Sequence, residues 1–233
     1  YNFGSFSLLS STSYIDYTSA GQSDFRNLGL DTLFTDLNSK ILTQEVRLTS
    51  TSEGDWQWSL GGFYRDAEEP LVQDLPLFLP VPVAFTDESQ SFAIFGEVTK
   101  IFDDGNFDLT VGLRYFEDEV TNREILNFTG TGPLVESKAK FDTVTPRVVL
   151  SWHPKDNLTV YGSYSQGFRS GFPQHSIVIT TVPDFPPVEE DTLENFEIGA
   201  KGNLLNNRMN FDAALYYINW DDIQQSVIVG IVA

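Results

Sequence analysis

Ser91–Phe102 reads SFAIFGEVTKIF, Asp103–Asn106 reads DDGN, and Phe107–Tyr115 reads FDLTVGLRY. In the first run Phe92, Ile94, Gly96 and Val98 fall on one face, with Ala93, Phe95, Glu97 and Thr99 on the other. In the second, Phe107, Leu109, Val111, Leu113 and Tyr115 oppose Asp108, Thr110, Gly112 and Arg114. A period of two is the mark of a strand with two unlike faces. Two such runs joined by a short polar turn predict an antiparallel hairpin.

The same pattern extends outward in both directions. Leu42–Thr49, Trp56–Arg65, Thr143–Trp152, Asn195–Lys201 and Met209–Ile218 all alternate, while Tyr1–Tyr14 reads as a strand with poorer alternation. Short polar turns are expected at Ser52–Asp55, Asp103–Asn106, Pro154–Asn157 and Leu205–Asn207. Long connections are expected at Asp16–Lys40, Asp66–Ser89, Asp118–Lys138 and Arg169–Asp191. The turns recur about every fifty residues, a spacing also found in propellers, whose blades hold four short strands. Here each period holds two long strands and one long loop, which favours a meander of tall hairpins with about nine or ten strands.

Composition narrows the function classes. The chain has 233 residues, no cysteine and two histidines, His153 and His175. Disulfides, thiolate metal sites and cysteine nucleophiles are therefore excluded. The net charge of −19 argues against nucleic acid, whose phosphates need clustered Lys and Arg. Mean hydropathy is −0.17, and no stretch approaches the roughly 18 apolar residues of a spanning helix. A spanning barrel is compatible with that hydropathy, because its strands alternate faces. Residues 1–233 read as an excerpt, with no signal peptide at Tyr1–Gly4 and no stop signal at Gly230–Ala233.

A soluble antiparallel sheet also has one apolar and one polar face, so height must discriminate. Strands leaving short turns at Trp56, Phe107 and Met209 reach Tyr64, Tyr115 and Tyr217 eight residues later, and the one leaving at Leu158 reaches Tyr164 after six. Eight residues at about 3.3 Å each, tilted roughly 40°, rise about 20 Å, close to the apolar band of an outer-membrane barrel. Aromatics bracketing such a row form the interfacial girdles. The opposite face carries Glu45, Arg47, Glu97, Arg114, Arg147, Glu197 and Lys201, expected to face a wet or plugged lumen. The expected class is all-β: an antiparallel transmembrane β-barrel meander, part of a larger barrel. The alternative outside membranes is a soluble β-propeller or sandwich binding module.

Seven strings resemble the barrel domain of TonB-dependent outer-membrane receptors: Thr43–Ser50 (TQEVRLTS), Phe92–Thr99 (FAIFGEVT), Thr110–Tyr115 (TVGLRY), Thr145–Trp152 (TPRVVLSW), Leu158–Gly171 (LTVYGSYSQGFRSG), Leu193–Lys201 (LENFEIGAK) and Asn210–Ile223 (NFDAALYYINWDDI). They follow the family's order over Ile41–Ile223. The resemblance implies a plugged barrel of about 22 strands, with the plug and the TonB-contacting segment outside this sequence. It implies an active-transport receptor importing a scarce nutrient, a ferric siderophore, energised by TonB. A passive porin is the alternative within membranes. Partners implied are TonB, outer-membrane lipid and lipopolysaccharide, and a small iron chelate. No resident cofactor or metal is expected.

Ligand contacts are expected from the long-loop end. Leu71–Phe85 (LVQDLPLFLPVPVAF) offers Phe78 and Phe85, and its prolines argue against a paired central strand. Arg169 is a candidate for an anionic chelate, its guanidinium matching carboxylate or catecholate oxygens; the competing role is a structural partner for a rim carboxylate. His175 follows Phe168-Arg169-Ser170-Gly171 and precedes Leu193–Phe196, an arrangement resembling haem-uptake receptors, although the FRAP and NPNL motifs are lacking. Asp184–Asp191 (DFPPVEED) adds four carboxylates to the rim, suited to divalent cations bridging lipopolysaccharide or simply to a solvated loop. No G-x-S-x-G, P-loop or H-E-x-x-H occurs, and catalysis is not expected.

Overall fold

The computed structural model describes residues 1–26, 32–51, 54–76, 81–126, 134–174, 178–179, 184–204 and 208–225. Nine strands make up nearly all of it: β1 Phe6–Asp24, β2 Thr32–Ser50, β3 Trp56–Asp74, β4 Val83–Phe102, β5 Phe107–Leu126, β6 Glu136–Lys155, β7 Leu158–Arg169, β8 Asp191–Leu204 and β9 Met209–Asp221. They form one sheet in the order β1-β2-β3-β4-β5-β6-β7-β8-β9, and every neighbouring pair is antiparallel. A single meander of this kind is neither two stacked sheets nor a set of four-stranded blades, so the sandwich and propeller alternatives fall. It is an unclosed part of a barrel, with β1 and β9 at its edges.

The hairpin read first is closed by the pair Phe102↔Phe107. Its turn places Asp103, Asp104 and Gly105 at φ 51°, 51° and 93°. Asp tolerates the left-handed region through its short polar side chain, and Gly enters it freely. Asn106 closes the turn from its amide N–H to the Asp103 carbonyl at 3.0 Å.

Register carries the alternation from strand to strand, because residues directly opposite share a face. One continuous row runs Trp58, Val98, Val111, Val148, Tyr164, Phe196 and Tyr217. Another runs Leu60, Gly96, Leu113 and Pro146. The side chains of this face stand open: Leu60, Val111, Leu150 and Leu215 are 48%, 46%, 53% and 77% exposed. A sheet that buried this face against a second layer would show the reverse.

Aromatics bound the apolar face at both ends. At the turn end, Phe107 and Trp152 stack at 6.3 Å, and the Lys100 ammonium lies 5.1 Å from the Trp56 ring while pairing with Asp55 at 2.8 Å. Nearer the other end, Tyr164 packs on Phe196 at 5.0 Å, with its hydroxyl donating to Glu194 at 2.8 Å. Tyr115 donates to Glu117 at 3.0 Å. Past these tyrosines the same face turns charged, with Lys138–Glu119 and Lys140–Glu117 pairs at 2.6 and 2.9 Å.

Two expectations need correction. Most of the segments Asp16–Lys40, Asp66–Ser89 and Asp118–Lys138 is strand rather than loop, whereas no strand of the sheet lies between Arg169 and Asp191 among the described residues. Strands β1–β6 have 19 or 20 residues. That corresponds to a rise of about 45–50 Å at roughly 40° tilt, about twice the apolar band. Second, Leu71–Phe85 is paired at both its ends: Leu71 opposes Phe85 and Gln73 opposes Val83. Pro76 and Pro82 lie outside the paired parts. Pro70 is tolerated inside β3. It pairs with Thr86 on one side, and the β2–β3 ladder has no pair at Pro70 or Glu69 on the other, which is where a missing N–H does least harm.

Pro146 does the same for β6. The β5–β6 ladder runs through Leu113↔Pro146, whereas the β6–β7 ladder ends at Arg147↔Ser165. The lost donor thus faces β7, which leaves β6 there and leads to the 170–190 connection.

Candidate functional site

The polar face bears a concavity of about 540 Å³ at mid-height, its lining including Glu45, Arg47, Phe95, Glu97, Arg114 and Arg147. Glu45 opposes Phe63, Arg47 opposes Gly61, and Glu97 opposes Gly112, which itself opposes Arg147. Arg147 forms an ion pair with Glu97, and Arg47 pairs with Glu45 at 2.7 Å. Arg47 also lies over the Phe95 ring at 5.5 Å, and Arg114 over Phe116 at 5.3 Å and Phe63 at 5.9 Å. The Nε atoms of Arg47 and Arg114 are buried without a hydrogen-bond partner. Gly61 lets the Phe95 ring cross it, since a Cβ there would come within 2.4 Å of the ring. Further along this face Glu197 accepts the Tyr161 hydroxyl at 2.6 Å, and Lys201 opposes Asp212.

Past the tyrosines this face holds a hydrogen-bonded set across β2–β6. Arg65 donates to the Ser89 hydroxyl at 2.9 Å, and Ser89 and Ser91 both donate to Asp118 Oδ1 at 2.9 Å. Asn122 donates to Asp87 at 2.7 Å, and Ser39 to Glu69 at 2.8 Å. Glu124 accepts the Val135 amide at 3.2 Å. Phe85 opposes Glu124 and shares this face. The chain after β7 folds onto the same surface: Ser137 donates to the Gln174 carbonyl at 2.8 Å, Phe172 bridges Val188, and Phe141 is buried.

Arg169 ends β7 directly opposite Asp191, the first residue of β8. Its Nε donates to Asp191 Oδ2 at 3.1 Å and its Nη2 binds the same oxygen. The guanidinium also lies 5.6 Å from the Trp220 ring. The Gln224 amide donates to Asp191 at 3.3 Å, and Gln224 Nε2 donates to the Ser170 and Glu189 carbonyls at 3.0 and 2.8 Å. Together these contacts tie the outer ends of β7, β8 and β9. Asp191 is 2% exposed. Burial pushes its carboxyl up, but the Arg169, Gln224 and Trp220 donors prevail and hold it below the usual range.

A depressed carboxyl contributes stability above its unfolded pKa of about 3.9 and loses it as pH falls through the lower folded value. Acidification below that range is therefore expected to release Trp220 from Arg169, read as a change in tryptophan emission. Asp191→Asn is expected to show the released signal at neutral pH and to cost about 1–3 kcal/mol, the half-exposed arginine reducing the figure for a fully buried pair. A wild-type emission profile in the variant would show that Asp191 does not hold Arg169 against Trp220.

Phe85 and Arg169 thus lie at the same end of the sheet, but Arg169 is already engaged by a carboxylate. Asp191 is accordingly set apart from the solvated acidic run in which the sequence places it. Phe78 and His175 lie outside the described residues. Residue patterns did not single out Asp87, Asn122, Trp220 or Gln224, since each acquires its role from a partner at least 33 residues away, as Gln224 does from Asp191.

A family model described as TonB dependent receptor-like, beta-barrel matches residues 1–232. The ferric yersiniabactin uptake receptor of Yersinia pestis shares the fold over 96% of this chain and 35% of its own, with a TM-score of 0.77 and 19% identity. The siderophore receptor PiuA of Acinetobacter baumannii matches over 91% and 37%, with a TM-score of 0.64 and 16% identity. The ferric-pyoverdine 358 receptor of Pseudomonas putida is 31% identical over 97 residues, which is 42% of this chain and 11% of that protein. The chain spans little more than a third of either solved relative.

Proposed function

This chain belongs to the TonB-dependent receptor-like β-barrel family and forms part of an outer-membrane barrel, and on that footing we propose that it serves a receptor importing a ferric siderophore with energy delivered through TonB. The observation that carries the reading is the division of one continuous sheet into an open apolar face, bounded by aromatics, and a charged opposite face. Lipid covers the first. The second lines a lumen, where Glu45, Arg47, Glu97, Arg114, Arg147, Glu197 and Lys201 meet a plug or water. Buried charges need partners, and the two arginine Nε atoms without one are suited to acceptors on a plug.

Several strands stand far beyond the apolar band, and their ends enclose a vestibule on the side away from the short turns. Phe85 belongs to its wall, and Arg169 shapes its rim by holding Asp191. The work of this protein is binding and translocation, not bond-making.

Deleting the receptor gene is expected to abolish growth on its ferric siderophore under iron limitation, and loss of TonB or collapse of the proton-motive force is expected to do the same. Solute flux that persists without TonB would make the protein a porin. Growth on haem that is lost in His175→Ala would change the cargo to haem.

A further inference from the structure

Resting on the siderophore-receptor reading, we propose that the inward-facing outer stretch of β3–β5 selects ferric chelates presenting positive charge or hydrogen-bond donors and disfavours polyanionic ones. Glu69, Asp87, Asp118 and Glu124 all project from this stretch on one face, as their ladder partners establish. Asp118 and Glu124 are 6% and 8% exposed. Their hydrogen-bond donors are neutral: Ser39 for Glu69, Asn122 for Asp87, two serines for Asp118 and a backbone amide for Glu124. No ion pair among the described residues includes any of the four.

The cations of β5 and β6 at this height are spent elsewhere. Lys138, Lys140 and Arg123 lie on the opposite face at this height, where they pair with Glu119, Glu117, Glu88 and Glu136. Arg65 alone shares the inward face of this stretch, and it donates to Ser89. Arg169 at the rim is neutralised by Asp191.

Asn122 supplies an independent sign of a missing donor. It is 4% exposed, and its Nδ2 is held by Asp87. A flipped amide would set its oxygen against that carboxylate, so the orientation is fixed. Its Oδ1 is then a buried acceptor with no hydrogen-bond partner. Such an acceptor is a cost that an incoming N–H or O–H removes. Four carboxylates and an open carbonyl make the wall acceptor-rich, and low-dielectric walls focus the field of their charge into the vestibule.

The test uses the intact receptor and matched probes: iron(III) desferrioxamine B, whose pendant ammonium is cationic, its neutral N-acetyl form, and its anionic N-succinyl form. Iron coordination is identical in all three. Ferric citrate and a ferric tris-catecholate extend the series to polyanions. Affinity from tryptophan quenching at low ionic strength is expected to fall from cationic to anionic by about tenfold, and the gap to shrink at high salt. In Asp87→Asn combined with Glu69→Gln the order is expected to flatten. Equal affinities, a preference for the anionic forms, or growth on polyanionic chelates alone overturns the inference while leaving the receptor reading intact. An order unchanged in the double variant also overturns it. If deleting the receptor alters growth on no iron chelate, the receptor reading falls, and the inference with it.

Discussion

Arginine at Val111 is expected to destabilise the barrel by about 2–4 kcal/mol, whereas arginine at Thr110, one residue away, is expected to cost no more than about 1 kcal/mol. Val111 lies midway between Phe107 and Tyr115, so it marks the middle of the apolar band, and it is 46% exposed between Val98 and Val148. An arginine there must either hold its charge in hydrocarbon or thin the bilayer to reach water. Thr110 is on the other face, opposite Thr99, with which it shares a hydroxyl hydrogen bond at 2.8 Å. An arginine at that position loses this bond but keeps its charge among polar neighbours. Refolding of the intact receptor into bilayers from denaturant measures both. A reversed order would mean that the two faces are exchanged, and equal costs that the sheet does not span.

The second large effect is expected at Gly171. A Cβ there would lie 2.1 Å from the Val188 carbonyl oxygen and 2.4 Å from the Phe141 ring. A ring edge can swing aside, but the backbone carbonyl is held by the Phe172–Val188 bridge, whose two hydrogen bonds measure 3.0 and 2.9 Å. Gly171→Ala must therefore break that bridge, lifting the 172–188 connection off Phe141 and the Ser137–Gln174 contact. Misplacing one wall of the vestibule by about 1 Å is enough to cost roughly 10²-fold where geometry governs the step. Siderophore uptake is expected to fall by about that factor while barrel assembly is retained. Gly162→Ala, where a Cβ would come no nearer than 3.9 Å to the Glu197 carbonyl oxygen, serves as control. Normal uptake by Gly171→Ala would show that the connection plays no part in transport.

Alternation made the membrane-height half of most strands legible. Trp56–Arg65, Ser91–Phe102 and Phe107–Tyr115 each set apolar against polar residues at period two, and this local pattern determines strand, face and hairpin before any neighbour is known. The outer halves escaped because both of their faces are polar. In β5 past Tyr115, Glu117, Glu119 and Arg123 lie on one side and Asp118, Asn122 and Glu124 on the other. Without an apolar face there is no period to read, and the strand is held by its ladder with β4 and β6. That is why Asp118–Lys138 looked like a loop.

Partner choice at the rim lay beyond sequence for a different reason. Arg169 had two admissible roles on residue type alone, because a guanidinium binds a carboxylate of the ligand or of the protein equally well. Asp191 lies 22 residues further on, and only the β7–β8 register brings the two opposite each other. Pro146 is a similar case. Its missing N–H was evident from the sequence, but whether β5 or β7 lost the bond depended on which neighbour the amide would have faced. Local periodicity thus specified the strands, their order and their faces, since it needs only residues two apart. The ends of the strands, the seating of the 170–190 connection and the acceptor-rich wall of the vestibule came from pairings across strands, which no single segment encodes.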